Sequence, residues 1–157
     1  MPDDLKINKT LVELIDGLPK PLPASAVQIE DALGVPLRVT SEQRDTAWYA
    51  SRPFVTADGY RVTTVNLRAV STSYQREHPD VGMLLALDFD ASPCIPVAML
   101  RERFGMDRPG GLVPDDPALS YRYADVPWGR FSLRIRTMLG GATCVDGVVL
   151  NNSRPPP

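Results

Sequence analysis

The sequence predicts an α+β fold: a mainly antiparallel, twisted sheet of five to seven strands, with two short N-terminal helices and one helix after the central strand. Three observations carry that expectation. Apolar residues recur at helical spacing in residues 8–18, 26–33 and 95–104, whereas most of the remaining chain alternates with a period of two. Glycine or proline closes nearly every such stretch. The 157 residues are enough for one hydrophobic core without a covalent staple. Residues 1–157 are therefore expected to form a single domain, with 1–7 and 152–157 as disordered or extended tails.

Leu11, Leu14, Ile15 and Leu18 follow i, i+3, i+4, i+7 and mark one apolar helix face, which Gly17 and Pro19 end. Residues 19–23, Pro-Lys-Pro-Leu-Pro, form a stiff connector, because proline lacks an N–H and restricts the residue before it. Ser25 stands at an N-cap position, and Val27, Ile29, Ala32 and Leu33 predict a second helix ended by Gly34. Residues 37–40 and 47–50 then read as strands. The Asp58-Gly59 pair predicts a hairpin turn leading into a long strand to Val70.

Residues 71–80 are polar and read as a loop. Residues 81–89 form the clearest strand, apolar on both faces and hence central. Asp90 or Ser92 is expected to cap a third helix over 95–104, with Pro96 in its first turn and Gly105 at its end. Residues 106–117 hold three prolines and two glycines and read as the longest irregular segment. Residues 119–123, 128–136 and 143–150 complete the sheet. Phe131, Leu133 and Ile135 share one face, and Arg130, Arg134 and Arg136 the other.

The net charge of −2 lacks the basic excess of a nucleic-acid surface, and lysine occurs only at Lys6, Lys9 and Lys20. No run approaches the ~20 apolar residues of a membrane-spanning helix. Cys94, Cys144 and His78 are all the cysteine and histidine in the chain. Nucleophilic catalysis takes a nucleophile, a base and an orienting group, and a zinc site takes three or four N/S ligands. Neither set is recognisable, so the expectation is a binding protein, not an enzyme, with no cofactor and no metal.

The two cysteines lie 50 positions apart, in no metal-binding spacing, and read as a disulfide worth about 4 kcal/mol; two reduced core cysteines are the alternative. His78 reads as a solvated loop residue, or as a base with Ser71, Thr72, Ser73 or Tyr74 nearby. Asp88 and Asp90 would end a strand and cap a helix, or hold a cation together with Asp107, Asp115 and Asp116. The arginine face, with Arg122, is a solvated strand face or a patch for an acidic partner. Trp128 reads as a core edge.

Residues 32–37 (Ala-Leu-Gly-Val-Pro-Leu), a strand carrying Arg68, an apolar strand leading to Cys94, residues 128–133 (Trp-Gly-Arg-Phe-Ser-Leu) and a closing strand with Cys144 together resemble small periplasmic proteins of Gram-negative bacteria. Among these, the chain is similar to immunity proteins that protect a cell from its own type VI secretion effectors. The resemblance covers about residues 26–151. It implies a periplasmic protein that binds a cognate cell-wall-degrading toxin, an amidase, and occludes its active-site cleft. Residues 1–4, Met-Pro-Asp-Asp, are acidic where a secretory leader is basic and then apolar, so the location rests on the resemblance alone.

Such an inhibitor needs a rigid sheet, a protruding loop and about 800 Å² of contact surface per partner. The segments 71–80 and 106–117 are the expected insertions. Tyr74, Arg76, His78, Met106, Asp107 and Arg108 are the expected contact residues, being types that anchor interfaces. A homodimer stays open. The alternatives are an envelope scaffold or lipoprotein-like module without a toxin partner, and a small-ligand binder or hydrolase.

Overall fold

Among the described residues ten strands form one mixed sheet, against an expectation of five to seven, and four helices accompany them instead of three. The computed structural model describes residues 4–19, 25–106, 108–113 and 116–152. Most of the proline-rich connector, residues 107, 114 and 115, and the tail beyond Asn152 lie outside them.

The N-terminal residues are not a loose tail throughout. Strand β1 (Leu5–Lys6) pairs in parallel with β4 (Phe54–Val55), and Ile7 is buried behind it. Helix α1 (Leu11–Asp16) starts at a capping box: the Thr10 hydroxyl accepts the Glu13 N–H and the Glu13 carboxylate accepts the Thr10 N–H. Asp58, in the predicted hairpin turn, accepts the Leu11 N–H at 3.0 Å and the Thr56 hydroxyl at 2.7 Å, so the turn also caps the helix. Helix α2 (Ala26–Leu33) has the expected Ser25 cap, made reciprocal by Gln28, and ends on Gly34 at φ +74°.

The strands β2 (Arg38–Glu42), β3 (Thr46–Ala50), β5 (Arg61–Val70) and β6 (Leu84–Phe89) match the period-two segments. Between β5 and β6 the expected loop contains a helix, α3 (Thr72–Glu77), capped by the Ser71 hydroxyl. Its six residues carry no apolar period, which is why the sequence reads as loop. Helix α4 (Val97–Phe104) begins later than expected: Pro96 occupies the N-cap without a side-chain bond, and neither Asp90 nor Ser92 caps it. Residues 106–117, read as irregular, instead supply β7 (Arg108–Val113), which pairs with β8 (Asp116–Val126) through two register shifts. Strands β9 (Gly129–Thr137) and β10 (Thr143–Asn151) finish the chain.

The strand order is β1-β4-β5-β6-β10-β9-β8-β7, with β3 and then β2 alongside the second half of β5. All pairs except β1–β4 are antiparallel. The predicted central strand is central: β6 lies between β5 and β10. Its Leu85, Leu87 and Phe89 join Val65 and Leu67 of β5, Val148 and Leu150 of β10, and Phe131, Leu133 and Ile135 of β9 in the core. Leu11, Leu14 and Ile15 of α1, Ile29 and Leu33 of α2 and Leu100 of α4 belong to the same cluster, so these three helices cover one face of the sheet. Trp128 packs against it, partly buried, as a core edge.

Cys94 and Cys144 are bonded, with a Cα separation of 5.3 Å. The Pro96–Cys144 bridge and the Val145 N–H to Ile95 carbonyl hydrogen bond at 2.9 Å tie the same two segments. The entry to α4 is thus fastened to the start of β10 covalently and by the backbone.

Candidate functional site

The predicted contact residues separate into two groups. Helix α3 carries the first at one end of the central strands. Its cap residue Ser71 donates its hydroxyl to Asp45 at 3.1 Å, and Gln75 donates to the Asn152 side chain at 3.0 Å. Asn152 is buried and also accepts the Met83 N–H at 2.6 Å. The helix is therefore anchored to the β2–β3 turn on one side and to the ends of β6 and β10 on the other. Arg76, Glu77, His78, Pro79 and Asp80 are left exposed in succession.

His78 caps α3 and stacks on Tyr74 with ring centroids 4.2 Å apart, and its Nδ1 lies 3.2 Å from the Tyr74 carbonyl oxygen. Of the predicted hydroxyl partners, Tyr74 is the one stacked on His78, and Ser71 is engaged with Asp45 and the helix N-terminus. The pair Tyr74–His78 thus forms an aromatic step at the end of α3.

The second group does not assemble as expected. Met106 is fully buried in the core and cannot meet a partner; methionine fills core gaps as readily as it anchors interfaces. Asp107 lies outside the described residues. Arg108 is exposed on β7 and pairs with Asp125 at 2.9 Å. From β6 to β7 the sheet takes four strand spacings, about 19 Å, so α3 and Arg108 are far apart on the molecule.

What the sequence reading missed is the second face of the sheet. Residues directly opposite on neighbouring strands share a face, so the registers place Ala50, Asn66, Ala86, Val149, Ser132, Tyr123 and Arg108 in one row across seven strands. A flanking row runs Trp48, Arg68, Leu84, Asn151, Arg130, Asp125. The middle of this face is built of small side chains, half-buried, and its margins carry the aromatic and charged ones. Arg68 reaches the Gly82 carbonyl with two donors, at 3.0 and 2.8 Å, and lies over the Trp48 ring at 5.7 Å. Arg130 lies over the Tyr123 ring at 4.0 Å and pairs with Asp125 at 3.0 Å.

The arginine stripe predicted on β9 lies on this face and is ion-paired within the protein. Arg134 binds Asp88 at 2.7 Å and Asp146 at 2.8 Å; Arg136 binds Asp146 at 3.5 Å and Asp116 at 3.4 Å. Arg134 reaches Asp88 by crossing β10 at Gly147, where a Cβ would come within 2.9 Å of the guanidinium. Burial works against the Arg134 charge, yet hydrogen bonds and charge from Asp88 and then Asp146 raise its pKa above the ordinary value. Asp88 and Asp90 are thereby accounted for as ion-pair partners, since Asp90 meets Arg61 at 3.3 Å. Asp116 also accepts the Ala118 N–H at 3.1 Å.

Comparison of the chain with protein-family models, with curated proteins and with solved structures gave no match.

Proposed function

We propose that the protein is a non-catalytic immunity protein: it binds a cognate cell-wall-degrading toxin of the type VI effector class, an amidase, in the periplasm and occludes its active-site cleft. The class of partner comes from the resemblance carried by residues 32–37, Arg68, Cys94, 128–133 and Cys144. The disulfide is compatible with an oxidising compartment. The single observation that supports an inserted element is the anchoring of α3 through Ser71 and Gln75, from whose end Arg76–Asp80 continues exposed. A segment fixed before binding loses little entropy on entering a cleft.

The experiment is co-purification with the product of the adjacent reading frame, followed by titration calorimetry with Arg76→Ala and His78→Ala. The reading expects a complex of one to one whose affinity falls at least about tenfold in the double variant, the loss of one hot spot. Absence of a complex, or a complex indifferent to the double variant, overturns it.

A further inference from the structure

On the helical side of the sheet, away from α3, a groove of about 670 Å³ opens between α4 and β8. It is lined by Val97, Ala98, Arg101 and Glu102 of α4, by Ser120 and Arg122 of β8, and by Ile135 and Thr143. Its size falls in the range of small-ligand sites.

The registers fix how these groups are arranged. Helix α4 starts where Pro96 bridges Cys144, opposite Arg136, and ends where the Phe104 ring meets Phe131 edge-on at 5.4 Å. Arg136 faces Leu119 and Phe131 faces Ala124 on β8. The helix therefore runs beside β8 in the same direction, from the level of Leu119 to that of Ala124. Val97 and Ala98 fall near Ser120 and its partner Ile135, whereas Arg101, one turn further on, falls near Arg122. The groove has an apolar half edged by two hydroxyls, and further along α4 and β8 its lining is supplied by Arg101 and Arg122.

From this we infer that the groove binds a carboxylate carried on a short apolar group, with the carboxylate between Arg101 and Arg122 and the apolar part against Val97, Ala98 and Ile135. The complementarity is one of charge and shape together. Among the described lining residues two cations stand against one carboxylate, Glu102, which favours an anion. Both arginines also interact with the protein, but each guanidinium offers five donors and planar forks that suit a carboxylate. The disulfide lies beside the groove, since Cys94 precedes the α4 wall and Cys144 follows Thr143.

The chemistry has two sources, a free small carboxylate or the C-terminus of a polypeptide. The test is an NMR titration of the folded chain with hexanoate, with acetyl-Val-Ala bearing a free C-terminus, and with the same dipeptide as its C-terminal amide. Hexanoate and the free peptide are expected to shift the amides of Ala98, Ser120, Arg122 and Thr143 saturably, and the amide to bind at least about tenfold more weakly, 1.4 kcal/mol. Tighter binding of the peptide assigns the groove to a polypeptide end, and tighter binding of hexanoate to a small acid. Arg101→Gln on the helix surface should weaken either ligand at least about tenfold, and Ala98→Trp should abolish binding by filling the groove. Amides unmoved by both carboxylates at millimolar concentration, or an amide ligand that binds as well, overturns the inference. Partner binding through α3 would be untouched by these variants, so the two readings fail separately.

Discussion

Replacing Cys94 by Ser together with Cys144 by Ala opens a loop spanning 50 positions, in which lie α4, β7, β8 and β9. The chain-entropy relation for a loop of that length gives about 14 cal/mol/K, hence about 4 kcal/mol at 25 °C. The native side of the balance changes little. Cys94 is exposed, Cys144 is buried but loses only its sulfur, and the closure is duplicated by the Pro96–Cys144 bridge and the 2.9 Å Val145–Ile95 hydrogen bond. Almost all of the loss should therefore arise in the unfolded chain. Urea denaturation followed by far-UV circular dichroism separates the two sides. Stability should fall by about 4 kcal/mol, and the m-value should rise, because a chain without the cross-link exposes more surface when unfolded. A loss under about 1 kcal/mol, or a full loss with an unchanged m-value, would refute the denatured-state argument.

Three other perturbations test separate parts of the structure. Gly129→Ala places a Cβ against the Asn151 carbonyl oxygen and 2.8 Å from the Asn152 Cα; a cost of about 3 kcal/mol, or 6–12 °C in Tm, should appear in calorimetry, and an unshifted Tm would contradict the hairpin geometry. Arg134→Met removes the guanidinium shared by the Asp88 and Asp146 carboxylates, at 31% and 18% side-chain exposure, so it should destabilise by about 2 kcal/mol, with most of that recovered when Asp146→Asn is added. Glu13 is held below the ordinary carboxyl value of 4.5 by the Thr10 backbone N–H and then by the Thr10 hydroxyl. With a depressed folded pKa its contribution is complete above the unfolded value and disappears as pH falls through the folded one; the stability gap between the wild type and Glu13→Gln should close on acidification, and a gap independent of pH would exclude the capping box as its source.

Elements specified by neighbours in the chain were legible. The i, i+3, i+4 stripe of α1, the Ser25 cap and Gly34 stop of α2, and the alternation in β5, β6, β9 and β10 follow from local sterics and a buried face. Elements held by distant partners were not. Leu5 and Lys6 become a strand only because β4 offers an edge, and β7 forms from Pro109-Gly110-Gly111 only because β8 lies beside it, at the cost of two register shifts. The disulfide was visible because two cysteines admit one pairing.

The candidate surfaces divide the same way. Arg130, Arg134 and Arg136 were visible as a stripe by alternation, but the carboxylate that Arg134 meets on β6 is 46 residues away, and the one that Arg136 meets on β8 is 20 away. Such pairing depends on strand order, which alternation does not encode. Met106 was misplaced because the residue types that anchor an interface are those that fill a core. The groove beside α4 had no linear signal at all, since its lining comes from α4 and three separate strands.

A sheet that never closes on itself keeps bare rims, where unsatisfied N–H and C=O groups invite any extended chain to zip on. On one rim all five residues of β2 are exposed, and its ladder slips between Val39 and Ser41; on the other, Pro109 has no N–H to offer and the β7 ladder slips twice. Neither β2 nor β7 gives a newcomer a straight run of bonds. Those irregularities act as guards against fibril growth, so straightening β2 by deleting Thr40, or restoring a donor at Pro109, would trade order at the margin for a tendency to aggregate.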